Sequence, residues 1–184
     1  MRQAKKFLQS RKLWNDVMSI ACFLWVLSLR FRDFRLAALQ AAPGVYGTHH
    51  DEAAGRSEVQ WRGTVHGAFN QSFGLFDGSA LIGITAVFTW PEDATGRTAI
   101  LAGSFIADAY RGRQLSRLLY DIRLEWIRQR RQFTRVVVGH RLSNEASRRA
   151  NQHYGFTPFL RRPHTWPDGT TEDEIFYELA LPEH

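Results

Sequence analysis

The chain has 184 residues, of which 44% are hydrophobic and 23% are charged, and this is the composition of one ordinary globular domain. Its formal net charge of +6 indicates an anionic partner such as a nucleotide-like cofactor, nucleic acid or an acidic surface. The single cysteine, Cys22, excludes an internal disulfide framework and a cysteine-rich metal site, and it favours a reducing, cytoplasmic location.

The N-terminal segment, residues 1–29, joins a basic stretch to an apolar run from Val17 to Leu29. This run is shorter than the roughly 20 residues that a transmembrane helix needs, and no cleavage site of the signal-peptide type follows it. We therefore expect the run to form a buried strand or helix. A membrane anchor or targeting segment is the alternative.

Hydrophobic periodicity and turn signals predict the elements of the next part of the chain. Pro43-Gly44 ends a helix, Ser57 is a favoured N-cap residue, and Asp77-Gly78 is a strong hairpin turn. In chain order the elements are a helix over 31–42, a polar loop over 45–57, a short helix over 58–65, a hairpin over 72–90 and a strand over 98–106.

The second half alternates strands and helices. An apolar stripe of leucine, isoleucine and tryptophan predicts a helix from Leu115 to Trp126, and "TRVVVGH" predicts a buried strand. A helix over 143–153, closed by Gly155, a loop with a turn over 156–171 and a strand over 174–181 complete the pattern. The order predicts an α/β fold with a mixed, mostly antiparallel sheet that helices cover on both faces.

A basic turn, "RGRQLS", stands between the strand over 98–106 and the helix that follows. Free N–H groups and the partial positive charge of a helix N-terminus bind phosphate groups well. Most phosphate-binding turns contain several glycines, however, and this turn has Gly112 alone. The hexapeptide therefore predicts either a pyrophosphate site or a basic loop that precedes a helix.

Five segments in sequence resemble the GNAT superfamily of acyl-CoA-dependent N-acetyltransferases. They are the strand "AILAGSFI", the turn "RGRQLS", the apolar helix, the strand "RVVV" and the segment "NEASRRANQHYGF", and the resemblance spans about residues 30 to 181. It implies that residues 30–184 form a single N-acetyltransferase domain, with residues 1–29 as an uncertain segment. It also implies acetyl-CoA as co-substrate, no metal, and a primary amine as acceptor.

The resemblance assigns the coenzyme A contacts residue by residue. It implies that backbone groups at the end of the strand over 98–106 bind the thioester and the pantetheine arm. The basic turn then binds the pyrophosphate, and the start of the helix over 143–153 flanks the pantetheine arm. Gln114 stands where the family has a glycine, so the turn must manage with φ < 0 or bear strain. The residues assigned in this way are Ser104, Phe105, Ile106, Arg111, Gly112, Arg113, Gln114, Leu115, Ser116, Asn144 and Asn151.

The residue at the position of the usual proton donor for the leaving thiolate differs from the one common in the family. Many family members have a tyrosine four residues before the glycine, and here that position is Asn151. The spacing of Asn144 and Ser147 is similar to that of the ribosomal-protein and aminoacyl acetyltransferases, which lack that tyrosine. Ser147 is the candidate donor, or it is only a small-residue contact.

His140, which follows the strand "RVVV", is the candidate general base because histidine titrates near neutrality. A structural histidine is the alternative. The expected partners are coenzyme A and a small-molecule or protein amine; nucleic acid and membranes are not expected, and a homodimer is left open. Two rival functions are a module that binds nucleic acid or an anionic surface, and a catalytically inactive GNAT-like domain that binds coenzyme A.

Overall fold

A seven-stranded sheet runs through the part of the chain that the structure, a computed structural model, describes, namely residues 18–22 (backbone only) and 28–182. The strands are β1 Met18–Cys22, β2 Gln71–Asp77, β3 Ala80–Thr89, β4 Thr98–Ile106, β5 Arg135–Arg141, β6 Thr157–Thr165 and β7 Thr171–Ala180. Their order is β1-β2-β3-β4-β5-β7-β6. Every neighbouring pair is antiparallel except β4 and β5, so the predicted mixed, mostly antiparallel sheet is confirmed.

Helices cover both faces of the sheet, as predicted. They are α1 Ser28–Ala41, α2 His50–Ala54, α3 Glu58–Val65, α4 Ser116–Arg128 and α5 Glu145–His153. Residues of α1, α2 and α3 form one apolar cluster with Ile84 of β3. The helix α4 packs on other residues of the sheet, with Leu119 against Leu75 and Ile82 and Trp126 in a cluster with Val138. Ile82 and Ile84, two residues apart, belong to different layers because the pairing of β3 with β2 is irregular between Leu81 and Gly83.

The local signals for α3 are confirmed in detail. The Ser57 side chain accepts a hydrogen bond from the Gln60 backbone, and the Gln60 side chain accepts one from the Ser57 N–H at 2.7 Å. This reciprocal capping box satisfies two N–H groups that the first turn of a helix otherwise leaves unpaired.

Three predicted elements differ in the structure. The predicted polar loop over 45–57 contains the short helix α2. The helix predicted from residue 143 begins at Glu145, because Asn144 is its N-cap and its side chain accepts from Ser147 N. The segment over 157–165, predicted as a loop, is the edge strand β6. An edge strand tolerates Pro158 and Pro163, since only one side of its backbone is hydrogen-bonded.

The N-terminal prediction can be compared with the structure only in part. Met18–Cys22 form β1 at the edge of the sheet, paired with β2, and Ser28 opens α1. Residues 1–17 and 23–27, which hold the rest of the predicted basic and apolar segment, lie outside the described residues. No helix in the described part of the chain combines the length and the apolar character needed to span a membrane.

The two parallel strands in the middle of the sheet pair only over a short stretch. The ladder joins Thr98–Ile100 of β4 to Arg135–Val137 of β5 and then stops. Just beyond it, β4 contains a bulge, because Gly103 and Ser104 together oppose Thr85 of β3. Gly103 has φ +64, which a glycine adopts without strain. The carboxyl-terminal halves of β4 and β5 therefore leave a gap in the sheet.

Candidate active site

The predicted site residues lie at the ends of β4 and β5, the two strands that border the gap, or in the segments that follow them. The strands are parallel, so the segments that follow them begin at the same edge of the sheet, where open α/β sheets bind ligands. Ser104, Phe105 and Ile106 end β4, residues 111–116 follow it, His140 is near the end of β5, and Asn144, Ser147 and Asn151 follow on α5 and its cap. The fold thus brings to one edge residues that are distant in the sequence.

The turn before α4 presents a row of unpaired N–H groups. Among the described residues, no acceptor is bonded to the N–H groups of Gly112, Arg113, Gln114 and Leu115. Gly112 has φ +76 and a Cβ at this position would meet no atom within 4 Å, so the backbone is open to an approaching ligand. Consecutive backbone donors of this kind form a concave anion-binding nest.

Gln114 takes the strained solution of the two that the sequence allowed. Its φ is +59, and it is the one non-glycine residue with positive φ among the described residues. This left-handed conformation costs an L-residue about 1–2 kcal/mol. Leu115 is the N-cap of α4 and supplies no side-chain hydrogen bond, so the first turn of the helix keeps its donors for another partner.

The two arginines of the turn fold back on its backbone. Arg111 donates from Nε to the Ile106 carbonyl at 3.1 Å and pairs with Asp108 at 2.9 Å. Arg113 donates to the Ala109 carbonyl at 3.2 Å. Both side chains are exposed, so their contacts are weak ones that a polyanion can replace.

The start of α5 is held by its cap. The Asn144 side chain accepts a hydrogen bond from Ser147 N at 3.0 Å. Ser147 is half-buried, and its hydroxyl makes no hydrogen bond among the described residues. Its Oγ is therefore available to a ligand, whereas the Asn144 side chain is used by the helix itself.

Asn151, at the position of the family's tyrosine, is completely buried. The Tyr120 hydroxyl of α4 donates to its Oδ1 at 2.6 Å. Its Nδ2 has no hydrogen-bond partner and no contact with solvent. The hydrogen bond from Tyr120 fixes the orientation of this amide and leaves both N–H donors of Nδ2 unpaired, at a cost of about 1–3 kcal/mol.

A polar cluster between α4 and α5 surrounds this pair, and the sequence alone did not reveal it. Tyr120 stacks on Tyr154 with a centroid separation of 4.6 Å, and the buried Arg123 guanidinium lies 4.6 Å from the Tyr120 ring centre. Burial lowers the pKa of Arg123 to about 10. The Tyr154 hydroxyl donates to Asp121 at 2.9 Å, so Tyr154 is engaged away from Asn151.

His140 lies inside β5 rather than beyond it, and it is buried. Val136 and Val138, which share its face of the strand, pack in the cluster that contains α4, so His140 faces the layer of α4 and α5. Nδ1 lies 2.8 Å from the Arg141 carbonyl and must donate to it, since a carbonyl only accepts. Burial lowers the pKa of the imidazole. The neutral ring thus carries its lone pair on Nε2, which has no partner.

The bulge in β4 is bound from the side of α1. Tyr46, in the loop after α1, donates its hydroxyl to the Ser104 carbonyl at 2.9 Å, and the Ser104 hydroxyl lies 2.8 Å from the Thr85 hydroxyl. Burial raises the pKa of Tyr46 to about 12, so this hydroxyl stays protonated and donates. Tyr46 is a further residue that sequence reasoning missed.

One family model matches most of the chain. The acetyltransferase (GNAT) family model matches residues 32–156. None of the curated proteins matches the chain.

Among solved structures, yncA from Salmonella typhimurium, with its cofactor acetyl-CoA, has a TM-score of 0.74 at 18% identity, over 91% of this chain and 95% of that one. A GNAT-family acetyltransferase from Streptococcus pneumoniae has a TM-score of 0.74 at 14% identity, over 89% and 99%. The ribosomal-protein-S18-alanine N-acetyltransferase from Escherichia coli has a TM-score of 0.64 at 18% identity, over 91% and 96%. At these identities the likeness shows the fold.

Proposed function

Because the chain belongs to the acetyltransferase (GNAT) family, we propose that it transfers the acetyl group of acetyl-CoA to a primary amine by direct attack of the amine on the thioester. The observation that carries this proposal is the nest of unpaired N–H groups from Gly112 to Leu115, which opens α4 beside the gap between β4 and β5. The gap would hold the pantetheine arm and the thioester, so an inactive domain that only binds coenzyme A would need both features. Thiol release that depends on an amine distinguishes the two functions.

The turn fits the pyrophosphate of coenzyme A. Its backbone donors and the N-terminus of α4 favour negative charge, and the side chain of Ser116, exposed on the first residue of α4, adds a hydroxyl. Arg111 and Arg113 are close enough to leave their present contacts and pair with phosphate oxygens. The strained backbone of Gln114 supports the same reading, because strain of this kind persists where function requires it.

Acetyl-CoA supplies the activated acetyl group as a thioester. The transfer forms a bond between the amine nitrogen and the acetyl carbon, breaks the carbon–sulfur bond, removes a proton from the amine and leaves negative charge on sulfur. We assign the backbone of Ser104, Phe105 and Ile106 to orienting the thioester. We assign Asn151 to the sulfur, since its Nδ2 is a free buried donor that Tyr120 holds in place.

Ser147 is then a second contact to the departing thiolate rather than its main donor. An alkyl thiol has a pKa near 8.5, so its thiolate is already a good leaving group near neutral pH. Hydrogen bonds that stabilise the anion therefore suffice for its departure, and a strong acid is not needed. The amide of Asn151 and the hydroxyl of Ser147 supply two such bonds.

For the general base we retain His140, because its neutral ring and unpartnered Nε2 suit proton abstraction. The replacement His140→Gln should lower kcat/KM by about 10²–10⁴-fold and move the acidic limb of the pH–rate profile. The competing residue is Glu174 of β7. Its Oε1 lies 3.1 Å from where a Cβ on Gly139 would be, on the opposite face of the sheet from His140. A moved limb in Glu174→Gln and an unmoved one in His140→Gln would assign the base to Glu174.

The experiment that tests the function has a binding arm and a turnover arm. Calorimetry should detect acetyl-CoA binding to the wild type and much weaker binding to Gly112→Asp, which puts a carboxylate where phosphate approaches. The matched control is Gly169→Asp, since Gly169 also has a positive φ and open space around its Cβ position but lies in the β6–β7 turn. Free-thiol release from acetyl-CoA should rise on adding primary amines. Equal binding by both variants, or no amine-dependent release, would refute the proposal.

A further inference from the structure

Arg35 of α1 is a partly buried residue whose guanidinium Nη1 is enclosed by the protein. Its Nη1 has no hydrogen-bond partner and no contact with solvent. No carboxylate in the described part of the chain is paired with it; its electrostatic neighbours are Tyr46 and a second cation, Arg56. Burial lowers the pKa of the guanidinium, yet arginine stays protonated in proteins.

The surroundings of Arg35 stabilise it only partly. The guanidinium lies 4.2 Å from the centre of the Tyr46 ring, which is a favourable cation–π distance. Arg56, the neighbouring cation, is already bound to Glu52 at 2.9 Å. A buried charge that lacks an ionic partner is strongly unfavourable, so Arg35 is a costly residue for an unliganded protein to keep.

The position of Arg35 connects it to the gap in the sheet. A Cβ on Gly103 would lie 3.8 Å from both Cζ and Nη1 of Arg35, so the guanidinium lies against the bulge of β4. Tyr46, which covers the guanidinium, donates to the Ser104 carbonyl in the same bulge. Arg35 and Tyr46 therefore both contact the bulge of β4, the strand that borders the gap.

Arg35 approaches the gap from the side opposite to the nest. The helix α1 belongs to the layer of α1, α2 and α3, whereas the nest opens α4 in the other layer. Arg111 of the turn reaches toward the layer of α1, with its guanidinium 5.4 Å from the centre of the Phe105 ring, whereas the N–H groups of the nest directly precede α4. We assign an anion at Arg35 to a group other than the pyrophosphate at the nest. Two reactants that enter from opposite faces can meet only in the gap.

We propose that Arg35 binds a carboxylate of the acceptor, so that the amine that is acetylated belongs to an amino acid. This inference rests on the proposed function, since it names the acceptor of that reaction. The unpartnered Nη1 suits a group with one negative charge, and a carboxylate oxygen accepts a charge-assisted hydrogen bond from a guanidinium N–H. The amine and the carboxylate must both lie beside the bulge, and an amino acid carries the two groups close together.

Matched substrates test this directly. The wild type is incubated with acetyl-CoA and a mixture of the proteinogenic amino acids together with their α-carboxamides, and the acetylated products are measured by mass spectrometry. The acids should be acetylated at least about tenfold faster than the matching amides, the factor of one charge-assisted hydrogen bond. Arg35→Met should abolish this ratio. Arg32→Met is the control on the same helix, because Arg32 bonds only its neighbour Asp33, and it should keep the ratio.

A stability measurement separates binding from packing. If Arg35 is kept for a ligand, Arg35→Met should unfold at the same or a higher temperature, because a buried unpaired charge has been replaced by an apolar chain. A clear fall in the melting temperature, with the acid-to-amide ratio unchanged, would mean that Arg35 is only structural and would overturn the inference.

The remaining outcomes distinguish this inference from the proposed function. Amides acetylated as fast as acids would overturn the role of Arg35 and leave transfer to amines standing. No acetylation of either set would overturn the amino-acid acceptor. If calorimetry then also fails to detect acetyl-CoA, the proposed function fails as well.

Discussion

Gln114 concentrates strain at a single residue of the nest. Its φ of +59 lies in a region where glycine is at ease and a glutamine is not. The fold tolerates this strain because Gly112 and the N-cap Leu115 fix the path of the turn. The helix α4 is also anchored in the core by Leu119 and Trp126.

Relieving this strain should stabilise the protein. Gln114→Gly removes about 1–2 kcal/mol of conformational strain and returns about 0.5–1 kcal/mol through the entropy of the unfolded glycine. The free energy of unfolding, measured by chemical denaturation, should therefore rise slightly. Gln129→Gly is the control, because Gln129 has φ −77 and should lose stability. A loss of the same size in both variants would show that Gln114 bears no strain.

The Tyr120–Asn151 hydrogen bond is a positioning contact. We expect Tyr120→Phe to release the Asn151 amide and so to weaken its proposed hydrogen bond to the thiolate. This should lower kcat by about tenfold, the order of one hydrogen bond to a charged group, while the KM for acetyl-CoA changes little. Tyr154→Phe is the matched control: it removes a hydroxyl from the stacked partner, one that bonds Asp121, and should cost stability without lowering kcat. Equal kcat in the two variants would contradict the role given to Asn151.

At the scale of elements, β1 is the strand that protects the sheet. Its five residues pair with Phe73–Asp77 of β2, and without them the edge of β2 would expose unpaired N–H and C=O groups. Such an edge pairs readily with another chain. In an antiparallel pair, alternate residues of an edge strand point their N–H groups to the partner and to the outside.

This alternation gives a test by proline substitution. In Ser19→Pro and Ile20→Pro, one of the two adjacent replacements removes an N–H that donates to β2, and the other removes an N–H that points outward. The melting temperatures of the two variants should therefore differ clearly, and the less stable one should aggregate more at high concentration. Two equal melting temperatures would argue against the pairing of β1 with β2.

At the scale of the whole molecule, stability should depend on pH through His140. Burial lowers the pKa of His140 below 6.5. Well above pH 6.5, His140 is neutral in both the folded and the unfolded protein. As pH falls from 6.5 towards the lowered folded value, the unfolded chain takes up a proton that the folded protein does not, and the free energy of unfolding falls.

We expect His140→Gln to flatten this acidic loss. Chemical denaturation at intervals below pH 6.5 should give a smaller slope for the variant than for the wild type. His153→Gln, at the exposed end of α5, should leave the slope nearly unchanged. If His140→Gln keeps the wild-type slope, the imidazole is not held neutral by burial.

The elements predicted correctly from the sequence are those whose signals lie within a few neighbouring residues. The N-cap Ser57, the Asp77-Gly78 turn and the apolar stripe of α4 are local signals, and each produced the expected element. The strand β6 was missed because its prolines look like those of a loop until β7 supplies the partner strand. Tyr120 with Asn151, and Arg35 with Gly103, could not be read from the sequence, since each pair is joined only by the folded chain.

The short ladder between β4 and β5 also has a mechanical consequence. Three residue pairs join the part of the sheet made of β1 to β4 to the part made of β5, β6 and β7, so the two parts share a hinge at one corner. A pantetheine arm in the gap would offer amide groups to both and act as a brace. We expect hydrogen exchange at residues 101–106 and 138–141 to slow most when acetyl-CoA binds. Release of the product would then free the ends of β4 and β5 again.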